Sequence, residues 1–159
     1  MKFIPYDRIT LRTNKSASEI IDFLIQNSYD IPFATIYGPT DKLLEGKVRT
    51  DNSFKLRRHI NYRNSFLPIM HGNIVSNDKG TIIDIKFKLH IAVVIVAALF
   101  LTIGIIVIGF SLYSILSNVS TAKILLLPLA ILLFGYFMTQ AGFNYELRKV
   151  KKLINEYLV

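Results

Sequence analysis

The chain has 159 residues, enough for about one domain, with a formal charge of +8, a mean hydropathy of +0.40 and 52% hydrophobic residues. It contains no cysteine, which excludes disulfides, thiolate metal sites and cysteine nucleophilic catalysis. Residues 1–90 hold 14 Lys/Arg and 9 Asp/Glu, so a net +5 of the charge precedes the most apolar stretch.

The opening MKFIPYDRIT places Pro5, Asp7 and Arg8 within the first ten residues. It lacks the basic flank, apolar run and small-residue cleavage site of a signal peptide, so none is expected. Residues 3–13 alternate Ile4, Tyr6, Ile9 and Leu11 with polar residues and predict a first strand, edge-placed or delayed by Pro5. A helix follows. Ser16 and Glu19 make a capping box, and Ile20, Ile21, Leu24 and Ile25 form its apolar stripe. Residues 28–43, SYDIPFATIYGPTDKL, read as a loop rich in bulky groups. Tyr29, Phe33, Ile36 and Tyr37 either plug one end of the core or form a lid or bilayer-edge contact.

Four short strands come next, at about 44–50, 53–63, 68–76 and 80–89, separated by the turn signals TDNS, NSFLP and SNDKG. Links this short predict an antiparallel meander. The second of these strands, KLRRHINYRN, sets Lys55, Arg57, His59, Asn61 and Arg63 on one side. Leu56, Arg58, Ile60 and Tyr62 take the other. Arg58 thus falls on an apolar face, where an arginine needs partners or a bulge that turns it out: it either snorkels to water at an edge or sits in a pocket where its fork holds a carboxylate or phosphate. In the last strand Thr81, Ile83, Ile85, Phe87 and Leu89 face one way and Asp84, Lys86 and Lys88 the other, and the strand runs straight into an apolar segment at His90.

From Ile91 to Ala122 no residue is charged, and after Lys123 the stretch Ile124 to Tyr145 is again uncharged. Each suits a membrane span of roughly 20 apolar residues, placed at about 91–113 and 124–143. Lys86, Lys88 and His90 precede the first span, and Arg148, Lys149, Lys151 and Lys152 follow the second. The connecting loop holds Lys123. This distribution predicts both termini on the cytoplasmic side. Beyond the second span Phe143, Leu147, Val150, Ile154 and Leu158 make one helical stripe suited to covering the sheet. The expected fold is therefore an α+β membrane protein. A cytoplasmic antiparallel sheet (β-α-β-β-β-β, residues 1–90) carries a two-helix transmembrane hairpin (91–142), inserted before an amphipathic covering helix (143–159).

The stretch RRHINYRNSFLPIMHG, followed by GTIIDIKFKLH and a hydrophobic hairpin, resembles a group of small uncharacterised bacterial membrane proteins. Those share an R-x-x-x-YRNSF-x-P-x-x-x-G pattern before a strand and two spans. Arg58, Tyr62, Arg63, Asn64, Ser65, Phe66, Pro68 and Gly72 match it, and the likeness runs from about Ser53. It implies the same topology and a bacterial inner-membrane location, and it names no activity. Asn64, Ser65, Pro68 and Gly72 read as a structural turn and its exit.

No catalytic constellation is evident. His59, His71 and His90 are isolated, HExxH and glycine-rich phosphate loops are absent, and no carboxylate falls within the spans. No cofactor or metal is implied. Aromatic residues do not share the cationic face, so nucleic acid is not expected. The remaining expectation is a non-enzymatic accessory or interaction protein binding a protein partner. A lipid- or anionic-ligand-binding module and a membrane immunity or stress protein stand as alternatives. Lys86 and Lys88 are candidate headgroup contacts. Lys55, Arg57 and Arg63 form a candidate face for an acidic partner, unless that face is simply solvated.

Overall fold

The computed structural model describes residues 4–30, 41–77, 80–117 and 123–158, and of 123–127 the backbone. Phe33, Ile36 and Tyr37 of the aromatic loop, and the tip of the segment between the two apolar stretches, lie outside the described residues.

The strands are β1 (Tyr6–Thr13), β2 (Ser28–Tyr29), β3 (Leu44–Val48), β4 (Ser53–Arg58), β5 (Ile69–Asn77) and β6 (Gly80–Lys88). The helices are α1 (Ala17–Gln26), α2 (Ile91–Leu116) and α3 (Lys123–Leu158). All six strands form one sheet in the order β1-β6-β5-β4-β3-β2. The first strand therefore closes against the last, antiparallel, from Tyr6↔Lys88 to Thr13↔Thr81.

Two of the following details correct the sequence reading, and the start of β1 after Pro5 fits it. The sheet is mixed, because Ser28–Tyr29 joins its edge parallel to Leu44–Glu45. A two-residue strand is too short to show any periodicity. β1 begins at Tyr6, after Pro5. β4 ends at Arg58 instead of Asn61–Arg63, because β3 begins opposite it at Leu44 and β5 only reaches back to Ile69. Past Arg58 the chain has no strand left to pair with, and only the His59 amide still reaches the Leu43 carbonyl.

Register assigns the two faces. Ile9 and Leu11 of β1, Ile83, Ile85 and Phe87 of β6, Met70 and Ile74 of β5, Phe54 and Leu56 of β4, and Leu44 of β3 all look one way. α1 buries Ile20 and Leu24 on this face, and α3 adds Phe143, Leu147, Val150, Ile154 and Leu158. The capping box that starts α1 is closed, with Ser16 Oγ accepting from the Glu19 amide and Glu19 accepting from the Ser16 amide. Gly72 sits directly under the Phe54 ring. A Cβ there would lie 2.0 Å from Phe54 Cζ, so glycine at this rung is what allows an aromatic on the next strand.

α2 follows β6 after Leu89 and His90, whose Nδ1 caps it by accepting from the Ala92 amide at 3.2 Å. Its 26 residues make about 39 Å at ~1.5 Å per residue. Its apolar side chains are exposed almost all round, Phe110 by 71%. Among the described residues it is the helix long and apolar enough to cross a membrane. α3 runs beside it, with Leu132 against Gly104, where a Cβ would come within 2.3 Å of the leucine. At 36 residues α3 is about 54 Å long, far more than packing on the sheet requires.

Candidate functional site

A buried ion pair on the covered face explains Arg58. Its Nη2 donates to Glu146 Oε2 at 2.6 Å, while the Tyr62 hydroxyl donates to Glu146 Oε1 at 2.6 Å. The same Nη2 reaches Tyr62 Oη at 3.2 Å. Glu146 is fully buried. Burial by itself would push its carboxyl up, but the hydrogen bonds from Tyr62 and Arg58, and the Arg58 charge, outweigh this and hold it below the ordinary carboxylate range. Arg58 Nε is buried with no partner among the described residues. Of the two readings for Arg58, snorkelling or a fork that holds an anion, the geometry shows the fork meeting a carboxylate. The fork is already filled by the protein's own carboxylate, which ties α3 to the end of β4.

Glu146 was the residue that sequence reasoning missed. It lies three residues after Phe143 and four before Val150, within the buried stripe, so its register marked it as inward-facing. Two further contacts hold the same helix. Lys151 pairs with Asp7 on β1, and Lys15 Nζ donates to the Tyr157 carbonyl at 2.8 Å while Phe23 stacks on the Tyr157 ring at 5.3 Å.

The opposite face carries no helix among the described residues, and it is basic. One rung across five strands reads Lys47, Lys55, His71, Lys86, Arg8. The next, nearer α2, reads Glu45, Arg57, Ile69, Lys88, Tyr6. Lys55 is therefore level with Lys86, and Arg57 with Lys88. The two groups expected to divide between headgroups and an acidic partner lie at the same heights on the sheet.

Carboxylates offset part of this charge, Asp30 lying 3.4 Å from Lys47 at one end of the rung. Glu45 accepts from Arg57 Nε and from His59 Nδ1, both at 2.6 Å. Asp84 accepts from Arg8 Nε and Nη2, both at 2.8 Å. Burial first, and then the charges of Lys55, Lys88, Arg49 and Lys86, push the His71 imidazole below its ordinary value. Arg63 lies past the end of β4 and is exposed.

The YRNSF turn is built from backbone contacts. Asn64 Oδ1 accepts from the Phe66 amide at 2.9 Å, and the Leu67 amide reaches the Asn64 carbonyl at 3.4 Å. Ser65 is exposed, while Leu67 and Pro68 are buried. Phe66 fits against Gly142 of α3, where a Cβ would lie 2.8 Å from its ring. The turn therefore docks on α3 one helical turn before Glu146.

Between the open face and the two long helices lies a cleft of about 820 Å³. Lys55, His71 and Lys88 line its sheet side, and the first three turns of α2 together with residues 131–140 of α3 line the other. No carboxylate is among its lining residues. Within the helices Thr102, Thr139 and Asn144 donate to carbonyls of their own preceding turn and Ser111 does the same. These polar groups serve the helix backbone and do not form a chain across it. Among the described residues no three His, Asp or Glu side chains converge as metal ligands would.

No family model, no curated protein and no solved structure matches this chain.

Proposed function

We propose that this chain is a non-enzymatic, two-span protein of the bacterial inner membrane with both termini in the cytoplasm. Its α+β module binds an anionic surface through the open sheet face. The observation that carries this reading is the basic rung Lys47, Lys55, His71, Lys86, Arg8, set on the sheet face that carries no helix among the described residues, at the elbow where β6 runs into α2. Cations near an anionic leaflet are attracted by about 1 kcal/mol each, within roughly a Debye length. A sheet joined to a span through two residues holds its near rungs inside that range.

The second span in this reading is the apolar part of α3. Its length of about 54 Å covers a hydrocarbon core of ~30 Å and leaves the tail for the sheet. The charge distribution supports the orientation: Lys86 and Lys88 stand before α2, and Arg148, Lys149, Lys151 and Lys152 stand on the tail.

A second reading is an accessory subunit with an acidic protein partner. It is favoured by the far part of the face, where Lys47 and Val75 are exposed well away from α2. The experiment is a pair of measurements on the full chain. Reporter fusions after Val159 should behave as cytoplasmic, and periplasmic activity there sinks the topology. Flotation with vesicles carrying anionic or zwitterionic headgroups, using residues 1–90 displayed on the intact protein in nanodiscs, should show vesicle capture only with anionic lipid. Capture by neither, with a stoichiometric protein co-purifying instead, moves the assignment to the accessory reading.

A further inference from the structure

The elbow cleft has two chemically different ends. Toward the sheet it presents Lys55, His71 and Lys88, arranged around β5. Lys55 stands in register with His71 on β5, while Lys88 lies across β5 from it and one rung nearer α2, level with Ile69. Toward the helices the cleft is apolar, and it narrows to a groove between α2 and α3 past Val94, Leu101 and Gly135. From Ile91 to Leu101 this wall is about 15 Å deep at ~1.5 Å per residue. That is half of a ~30 Å hydrocarbon core, the depth of a single leaflet. The groove is open at Gly135, where a Cβ would meet nothing within 4 Å.

We propose that the cleft is a binding site for one anionic phospholipid of the cytoplasmic leaflet, with its phosphate between Lys55 and Lys88 beside His71 and an acyl chain along the groove at Gly135. This rests on the reading that α2 and α3 cross the membrane. Charge selects the headgroup: cations and no carboxylate line the polar end, so a zwitterion gains less there than a net anion. Depth selects the tail: a chain as long as one leaflet fills the wall, and a water-soluble phosphate leaves it empty. Burial, and then the charges of Lys55 and Lys88 among others, lower the proton affinity of His71, and a phosphate beside it would offset those charges.

The test begins with the full chain in native membranes, washed with alkaline carbonate. Release into the supernatant overturns the membrane reading, and this site with it. Retention in the pellet leaves the site to be judged by itself. The protein is then purified in mild detergent and titrated with an equimolar mixture of dioleoylphosphatidylglycerol and dioleoylphosphatidylcholine, with adducts counted by native mass spectrometry. One phosphatidylglycerol should be retained in preference to phosphatidylcholine by roughly ten- to thirty-fold, the factor two lysines contribute at a headgroup.

Charge reversal in K55E/K88E should abolish the preference. G135L should remove the adduct of either lipid while leaving the melting temperature unchanged, because the leucine enters open space. Should G135L fail to fold, K55E/K88E carries the test by itself. Equal retention of both lipids by the wild type overturns the site, as does a preference that survives the charge reversal. An adduct displaced by millimolar inorganic phosphate also overturns it, since the chain would then not be contributing.

Discussion

The two faces of one sheet are made by the same strands, residue by residue in alternation, yet they are held by different physics. On the covered face neighbours in register are Leu56, Met70 and Phe87, and α1 and α3 remove them from water. On the open face the neighbours in register are Lys55, His71 and Lys86. Like charges directly opposite one another destabilise a sheet. The covered face therefore supplies the stability, and the open face sets like charges side by side with no helix over them among the described residues.

The largest effect should come from breaking the buried pair. E146A strands Arg58 beneath α3 and should cost about 3–5 kcal/mol in unfolding experiments in detergent. Replacing both partners with apolar groups, as R58M/E146L, should recover most of it. A double variant as unstable as the single one would show that the pair is needed for more than charge neutralisation.

Next in size, L147A and I154A should each cost about 2–5 kcal/mol, because both side chains are buried on the sheet. Wild-type melting in both would mean that the tail of α3 does not cover this face. G72A should cost about 1–3 kcal/mol by forcing its methyl into the Phe54 ring. F54L should relieve it, making the double variant less unstable than the sum of the two.

The open face should behave oppositely. K55A and K88A should each change stability by no more than about 0.5 kcal/mol while lowering retention of anionic lipid. A large loss of stability in either would place these lysines in the fold instead of at a ligand.

The smallest effect is in pH. His71 resists protonation when folded, so the unfolded chain takes up its proton first. Stability should then rise with pH up to the ordinary histidine value of 6.5 and level off above it. H71Q should flatten that segment, as read in melting curves from pH 5 to 7.5. Asp84 acts at lower pH, and its value too is lowered. The hydrogen bonds from Arg8 hold its carboxyl below the ordinary range, so its contribution is present above that range and is lost as pH falls through the lowered value.

Much of this molecule follows from local pattern. The alternation in TIIDIKFKL states which β6 side chains face the core, the Ser16–Glu19 box starts α1, and the stretch from Ile91 contains nothing a soluble surface would need. The stripe from Phe143 to Leu158 shows the buried side of α3 at a period its own backbone imposes. These signals survive because each depends on residues a few positions apart.

What the tertiary structure decided lies across long separations. Arg58 on its apolar face demands a partner, but that the partner is Glu146, 88 residues later, depends on how a second element crosses the end of β4. The row Lys55, Arg57, His59 looks uniform in sequence. Folding divides it, sending Arg57 and His59 to Glu45 and leaving Lys55 in the cleft. The cleft itself has no sequence signature, because its walls come from β4, β5, β6, α2 and α3 and meet only once β6 has turned into the first apolar helix. Periodicity fixes which way a side chain points, while sheet order and helix crossing fix what it meets there.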